Sequence, residues 1–213
     1  MLFRSDDVLL RMNRGYTIGE YMEMHARVRE ELPHAAITSD FIVGFCGETD
    51  AEFQLTLDLV RTAGFKNSFI FKYSPRPGTK AHERLPDDVP EAVKKARNQA
   101  LLEAQEAVSL AGNRAFVGTR QQVLVEGLST RDEKREVNPG PDGVAQLTGR
   151  TMCDRIVVFD APLRLVGRLV DIDITSAGAW SLGGTVADRL AEAVPLEEIP
   201  PLHQIALAPR PGA

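Results

Sequence analysis

Cysteine is scarce in this sequence, and its scarcity excludes several classes of protein. The 213 residues contain only two cysteines, Cys46 and Cys153. They lie far apart and outside any ligand cluster, so we expect neither a disulfide framework nor a local metal motif. The four histidines also lack metal-ligand spacing. A reducing compartment is expected, with the cytoplasm as the default location.

Long hydrophobic runs and an excess of positive charge are missing as well. No apolar run approaches the roughly 20 residues that a membrane-spanning helix needs, and the first residues lack the hydrophobic region of a secretory signal. Lys and Arg number 25 against 30 Asp and Glu, which gives a net charge of -5. The sequence therefore predicts no membrane partner and no DNA partner, and any RNA contact must be local.

A short apolar run at residues 41–45 leads into a glycine turn and organises the first part of the chain. Such a run is typical of a parallel strand that is covered on both faces. After the turn, Thr49 and Glu52 have capping-box spacing and open a predicted helix at 50–63. A second strand at 68–73 completes a strand, helix, strand unit with parallel strands.

Ligands of such units gather beyond the carboxyl ends of the strands, so residues 44–48 and 74–79 are expected on one functional edge. Two capped helices precede the unit, and Thr17 with Glu20 forms a predicted capping box at the start of the second. Residues 1–80 are thus a repeated α/β pattern with too few strands to close a barrel. Half a barrel with an exposed edge strand is therefore predicted. A long connecting helix follows, with a predicted end at Gly112. Its predicted buried stripe consists of Val93, Ala96, Ala100, Ala104 and Val108.

The pattern changes at Arg120 to short β-rich runs separated by turns. Five strands are predicted within residues 115–184, at 122–126, 145–152, 155–160, 167–175 and 179–182. They suggest a small barrel, with 129–143 as a mobile loop. The tail at 185–213 is rich in proline and is expected to be loosely ordered, apart from a possible short helix near 187–193. The predicted organisation is thus α/β for residues 1–114, all-β for 115–184, and a tail.

Five sequence segments resemble one enzyme family, in the family's own order: RMNRGYT at 11–17, SDFIVGFCGET at 39–49, FKYSPRPGT at 71–79, LTGR at 147–150 and RIVVF at 155–159. Together they closely resemble the MiaB-type tRNA methylthiotransferases over residues 5 to about 184. The resemblance implies a partial radical SAM (TIM-like) barrel followed by a C-terminal TRAM domain, which is a small β-barrel.

The resemblance also implies a reaction and its cofactors. Enzymes of this family add a methylthio group to an isopentenyl-type adenosine beside the tRNA anticodon, using S-adenosylmethionine and two 4Fe-4S clusters that are each held by three cysteines. A thiolate-bound cluster with an open iron site is what cleaves the sulfonium bond. This sequence has too few cysteines for either cluster. We expect the chain to be inactive alone, and a separate N-terminal half with the cluster cysteines is a possible partner.

The resemblance implies a cofactor-binding set in the first part of the chain: Ser5, Val43, Gly44, Phe45, Gly47 and Glu48. The glycine turn would lie against the adenine of S-adenosylmethionine through its backbone. From the residues alone a plain strand-to-helix turn is the alternative, and Ser5 is equally suited to cap a helix. Cys46 stands where the family has proline, and a lone buried thiol favours packing over metal binding.

An RNA-binding set is implied for tRNA, in particular its anticodon stem-loop: Arg76, Arg120, Lys134, Arg135, Arg150 and Arg155. Arg168 is a further candidate. Arginines at such positions could contact phosphates, although Arg76 could equally stabilise its turn. Residues 115–184 hold eight Lys and Arg against nine Asp and Glu, so RNA binding would require the positive charges to lie on one side. Met152 and Asp154 also replace residues that are usually arginine and asparagine in the family.

Three hypotheses follow. The chain is part of a methylthiotransferase assigned to tRNA modification, or a stand-alone RNA-binding module, or an inactive gene remnant. A neighbouring reading frame with the cluster cysteines favours the first, and tRNA binding without such a partner favours the second. Aggregation of the isolated chain favours the third, because a severed barrel edge lacks cover.

Overall fold

The computed structural model describes residues 5–187 and 194–195, which fall into two compact units that divide after Ala115. Unit 1 contains five helices and two strands: α1 (Asp6–Arg11), α2 (Ile18–Glu31), β1 (Thr38–Val43), α3 (Asp50–Ala63), β2 (Asn67–Lys72), α4 (Lys80–Arg84) and α5 (Glu91–Arg114). Unit 2 is mainly strands: β3 (Arg120–Leu128), α6 (Thr130–Glu133), β4 (Val144–Thr151), β5 (Ile156–Pro162), β6 (Arg168–Ala177), β7 (Leu182–Val186) and β8 (Val194–Pro195).

The predicted strand, helix, strand unit is confirmed in unit 1. Strands β1 and β2 pair in parallel from Thr38 with Asn67 to Val43 with Lys72. One face of this two-stranded sheet packs against α3 and α5 around Phe41, Phe65 and Leu101, all of which are buried. This helix layer covers one of the two faces of the parallel sheet, and buries the apolar side chains that point toward it.

Both predicted capping boxes are formed. Thr17 accepts a hydrogen bond from the Glu20 amide and Thr49 accepts one from the Glu52 amide, while each glutamate reaches back to the amide of its cap residue. Helix α3 ends at Gly64, whose φ of 65° is in the left-handed region that glycine adopts without strain. Local hydrogen bonds therefore set the bounds of α2 and α3.

Helix α5 buries a different stripe from the one predicted. The predicted stripe of Val93, Ala100, Ala104 and Val108 is only half-buried, and Ala96 is exposed. The fully buried positions lie one residue further along and are mostly polar: Lys94, Arg97, Leu101, Gln105, Ser109 and Asn113. The helix also continues two residues past the predicted end at Gly112. Apolar periodicity missed the stripe because these polar side chains find partners in unit 1.

The polar stripe is well satisfied where it crosses β2. Gln105 accepts a hydrogen bond from Ser68 Oγ at 2.8 Å and donates to the Phe65 carbonyl at 3.1 Å, and Ser109 donates to the Lys66 carbonyl at 2.9 Å. Buried polar groups that are paired in this way hold a helix in one position on a sheet.

Unit 2 is a closed ring of five strands. The order is β3-β4-β5-β7-β6, and β6 also pairs with β3, which closes the ring. All pairs in the ring are antiparallel except that of β5 with β7. Strand β8 pairs with the first two residues of β6, Arg168 and Leu169. The interior is filled by apolar side chains, among them Val123, Leu147, Phe159 and Ile172. The closed ring confirms the prediction that this part of the chain forms a small β-barrel.

Two details of unit 2 differ from the sequence-based expectations. The predicted loop at 129–143 contains the short helix α6, capped by Ser129, which accepts from the Asp132 amide. The fifth strand of the barrel is predicted at 179–182, but strand β7 occupies Leu182–Val186. Residues 178–181 instead form the turn before it. The predicted tail helix near 187–193 lies almost entirely outside the described residues.

Exposed aromatic side chains occupy the second strand of unit 1. Phe69 and Phe71 are 61% and 51% exposed, and their rings stack at 6.4 Å between centroids.

None of the helices within residues 5–187 combines the length and apolar composition needed to cross a lipid bilayer.

Candidate functional site

The turn after β1 is the most tightly organised polar feature of unit 1. Gly44 and Gly47 both have a φ of 73°, and the Glu48 amide donates to the Phe45 carbonyl at 2.9 Å. Positive φ at two positions is the reason that glycine is needed at both. The turn brings the Glu48 side chain back beneath the end of β1.

Glu48 is buried at the centre of this turn. Its Oε2 accepts hydrogen bonds from the Gly44 amide and from Arg97 Nη1, the latter at 2.8 Å. Arg97 Nη1 also donates to the Glu48 carbonyl at 3.1 Å, and its Nη2 donates to Asp50 at 2.7 Å. Burial raises the pKa of the Glu48 carboxyl above its ordinary value, although the Gly44 and Arg97 contacts act in the opposite direction.

Lys94 lies in helix α5, as Arg97 does, and it also supports the glycine turn. Its side chain is only 4% exposed, and Nζ donates to Asp87 Oδ1 at 2.5 Å. The same Nζ lies 5.2 Å from the centroid of the Tyr73 ring. A Cβ on Gly44 would overlap Lys94 Cγ. The aliphatic part of Lys94 therefore packs directly on the glycine backbone, and only glycine fits there.

Helix α1 covers the other side of the turn. Ser5 caps α1 by accepting from the Val8 amide at 3.3 Å, and it donates to Glu52 Oε1 at 3.1 Å. Arg11 Nη2 donates to the same Glu52 oxygen at 3.1 Å. Burial alone would raise the pKa of Glu52, but hydrogen bonds from Thr49, Arg11 and Ser5 lower it overall. Ser5 thus takes the capping role.

Most of the predicted cofactor-binding residues are buried. Ser5, Val43, Gly44, Phe45 and Glu48 are buried, and Gly47 is the exposed member of the set. The structure brings all six together, but two amides of the turn are already engaged, since Gly44 donates to Glu48 and Gly47 donates to Asp88. These two amides are therefore occupied by contacts within unit 1, and contact of the turn with S-adenosylmethionine stays a prediction.

The cysteines do not fit an iron-sulfur cluster. Cys46 is buried beside Phe45 in unit 1, whereas Cys153 belongs to unit 2. Within residues 5–187 no three His, Cys, Asp or Glu side chains converge as a metal site would require. Cys46 packs among Val8, Leu9 and Phe45, and no chemical step can be assigned to it.

The arginines of unit 2 divide between two ends of the barrel. Arg120 begins β3 and pairs with Asp173 at 2.7 and 2.8 Å, and Arg150 near the end of β4 contacts Glu126 and Asp154 at 3.1 and 2.6 Å. Strand register places both at the end where Arg155 precedes β5. Three of the predicted RNA-binding residues are thus brought together.

The other predicted RNA-binding residues lie elsewhere. Lys134 and Arg135 follow α6 and are exposed. Arg168 begins β6 and donates to the Arg164 carbonyl at 3.3 Å. Arg76 belongs to unit 1, where it is exposed and its carbonyl accepts from Thr79. The predicted set is therefore at least two surfaces rather than one.

Sequence reasoning missed Lys94 and Arg97, the two residues on which the glycine turn rests. The available signal was the recurrence of polar residues at 94, 97, 105, 109 and 113, which follows a helical period as well as the apolar residues do. A buried polar stripe can be recognised only when its partners on other elements are known.

Comparison with curated proteins identifies close relatives. The chain is 51% identical over 182 residues to a tRNA-2-methylthio-N(6)-dimethylallyladenosine synthase of Rhodopirellula baltica, covering 85% of this chain and 37% of that protein. Synthases of the same name from Moorella thermoacetica and Chromobacterium violaceum are 44% and 46% identical, covering 86% and 84% of this chain and 39% and 38% of theirs. No protein-family model matches the chain.

These relatives share most of this chain but are much longer. The chain spans little more than a third of their length. Identity of this level over some 180 residues demonstrates common ancestry, and it confirms the resemblance seen in the sequence segments.

Proposed function

We propose, on the premise that the chain belongs by sequence to the tRNA methylthiotransferase family, that it supplies part of the catalytic barrel and the RNA-binding domain of such an enzyme. The reaction of the whole enzyme would be methylthiolation of an isopentenyl-type adenosine beside the tRNA anticodon, in the cytoplasm. The relatives' shared name, together with a closed β-barrel that gathers three arginines at one end, carries this proposal.

Residues 1–114 would form the last part of a radical SAM barrel. Their parallel strands β1 and β2 are covered by helices on one face, as barrel strands are. The opposite face carries Phe69 and Phe71, which are exposed. Further strands, from polypeptide outside these 213 residues, would pair with this sheet and cover that face.

The cluster ligands would come from that same additional polypeptide. Two cysteines cannot hold the two 4Fe-4S clusters of the family, and the positions of Cys46 and Cys153 do not suit even one. In our proposal the assembled barrel binds S-adenosylmethionine, and the turn that contains Gly44 and Glu48 forms part of the wall around it. The chain's own residues then shape this wall without taking part in electron transfer.

Residues 115–184 would form a TRAM domain that binds the anticodon stem-loop. Surface ion pairs such as that of Arg120 with Asp173 contribute little energy and can exchange for contacts with phosphate. The decisive measurement is fluorescence anisotropy of a labelled anticodon stem-loop RNA titrated with the purified chain. We expect binding that weakens as salt rises.

Charge reversal sharpens this test. Arg150→Glu should weaken RNA binding, while Arg61→Glu, on an exposed position of α3 in unit 1, should change it little. Equal effects of the two variants would refute a localised RNA surface on the barrel. Absence of any RNA binding by the wild-type chain would refute the proposed role of unit 2.

A stand-alone RNA-binding role is the second candidate, because unit 2 closes its barrel without any strand from unit 1. Co-expression in a strain that lacks the methylthiotransferase separates the two candidates. If a polypeptide carrying the cluster cysteines restores the methylthio modification only together with this chain, the enzymatic role stands. If tRNA binding persists but no such partner restores modification, the binding role stands.

A further inference from the structure

The one tryptophan of the chain is exposed in unit 2. Trp180 lies in the turn between β6 and β7 and is 56% exposed. The turn is held by a hydrogen bond from the Gly178 amide to the Ser181 carbonyl at 2.8 Å, and Ala177 pairs with Leu182 at its base. A large apolar ring is therefore fixed at the tip of a short, well-formed turn.

Strand register shows which end of the barrel Trp180 occupies. Strands β5 and β7 run parallel, with Val157 beside Leu182. Arg155 and Trp180 each precede these paired residues by two positions, so the two turns lie at the same end of the barrel. Met152, which is 86% exposed, belongs to the turn that precedes β5. This end therefore carries two exposed apolar side chains together with Arg120, Arg150 and Arg155.

One guanidinium group at this end already lies over an aromatic ring. The Arg155 guanidinium lies over the Phe116 ring at 4.4 Å from its centroid. Arg150 and Arg120 are held by carboxylates on the outer surface of the same end. An exposed aromatic ring and arginines on one surface are the combination that binds single-stranded nucleic acid, by stacking on a base and contacting its phosphates.

A protein partner fits this surface less well. The core of a protein interface is depleted of charged residues, whereas the end of the barrel that carries Trp180 also carries the ion pairs of Arg150 with Asp154 and of Arg120 with Asp173. Phosphate can replace the carboxylates that now contact the arginines, because both are anions that match a guanidinium.

We propose that Trp180 stacks on an unpaired base of the bound RNA and that Arg150 and Arg120 hold the adjacent phosphates. This inference deepens the proposed function and rests on RNA binding by unit 2. It assigns to the barrel a contact that depends on an unpaired base, in addition to contacts that depend on charge.

Because Trp180 is the sole tryptophan, its fluorescence reports directly on this contact. Titration of the full chain with an anticodon stem-loop RNA should quench the emission, and a fully paired RNA duplex of the same length should quench it less. In anisotropy measurements Trp180→Ala should weaken stem-loop binding by about 5- to 150-fold, the range expected for loss of one stacked base. Trp180→Phe should retain most of the affinity.

The salt dependence separates stacking from charge. Trp180→Ala should leave the slope of affinity against salt unchanged, because no phosphate contact is lost. Val144→Ala is the matched control, since Val144 is 62% exposed and lies at the other end of the barrel. Circular dichroism of each variant checks that the fold is kept.

The outcomes are distinct. If the wild-type chain binds no RNA, both the proposed function and this inference fall. If it binds RNA but Trp180→Ala binds equally well, or no quenching occurs, only this inference falls. Self-association that Trp180→Ala abolishes, without quenching by RNA, would assign the ring to a protein contact and would also overturn the inference.

Discussion

Arg97 and Glu48 form a buried ion pair that joins helix α5 to the turn after β1. The Arg97 Nη1 atom lies 2.8 Å from Glu48 Oε2 and 3.1 Å from the Glu48 carbonyl oxygen. Their side chains are only 7% and 0% exposed. Because the same carboxylate also accepts from the Gly44 amide, the conformation of the turn depends on a residue some fifty positions later.

Arg97→Ala should destabilise unit 1 strongly. The substitution leaves the Glu48 carboxylate buried without its cation, and breaking a buried pair in this way costs about 3–5 kcal/mol. Urea unfolding followed by circular dichroism measures the loss. Arg114→Ala is the control, because Arg114 is exposed at the end of the same helix, and it should cost less than about 0.5 kcal/mol. A loss below about 1 kcal/mol for Arg97→Ala would contradict the structural role given to the pair.

Two glycines with similar backbone angles should respond differently to alanine. Gly44→Ala and Gly64→Ala both place a Cβ at positive φ, of 73° and 65°, which costs about 1–2 kcal/mol. Only at Gly44 does the added Cβ meet another side chain, that of Lys94, and this overlap should add about 1–3 kcal/mol. Urea denaturation of the two variants gives the difference, and equal losses would show that Lys94 moves aside at no cost.

The parts of the fold that could be predicted from sequence are those set by local hydrogen bonds and turns. Thr49 and Glu52 mark the start of α3 because they bond to each other's backbone across one helical turn. The parallel order of β1 and β2 follows from the helix that connects them. The strands of unit 2 were recognised for the same reason, by the turns between them.

The remaining features depend on contacts between distant segments. The pairing of β3 with β6 closes the barrel and places Arg120 beside Asp173. Nothing in the sequence near either residue indicates this pairing. The buried side of α5 was misjudged because Arg97 and Lys94 are polar and acquire partners only when the glycine turn folds against them. For the same reason the burial of Phe45 and Glu48, which belong to the predicted cofactor set, has no signal in the local sequence.

Asp132 should make the stability of the barrel depend on acid pH. Its Oδ2 accepts from the Gln146 amide at 2.9 Å, and this bond, with the neighbouring Arg131, lowers the pKa of the carboxyl. A lowered pKa in the folded state means that the carboxylate stabilises the barrel above its ordinary titration range, near pH 4, and that this stabilisation is lost as pH falls through the folded value.

Asp132→Asn should therefore flatten the loss of stability between about pH 5 and pH 2, while the wild type loses stability over that range. Trp180 lies in unit 2, so its fluorescence during urea unfolding follows the barrel specifically. Some slope should remain in the variant, because the bond from Arg120 also lowers the pKa of Asp173. Asp160→Asn, at an exposed position of β5, is the matched control. If Asp132→Asn shows the same dependence of unfolding free energy on pH as the wild type, Asp132 is not the group that makes the barrel sensitive to acid.

Asp154 should limit the affinity of the barrel for RNA. It lies 2.6 Å from Arg150 Nη1 and holds that guanidinium together with Glu126. Asp154→Asn keeps a side chain that tolerates the φ of 60° at this position but removes the competing charge. Stem-loop RNA should then bind about 2- to 5-fold more tightly, the range of a surface ion pair, and the salt slope should steepen by at most about 1.

A double-mutant cycle isolates this effect. When Arg150 is already replaced by alanine, Asp154→Asn should raise RNA affinity only as much as the loss of any one surface negative charge does. That general change is measured with Asp171→Asn, which removes the same charge from an exposed position of β6. If Asp154→Asn and Asp171→Asn raise the affinity equally, the gain comes from net charge alone, and Arg150 is not the group that Asp154 withholds from the RNA.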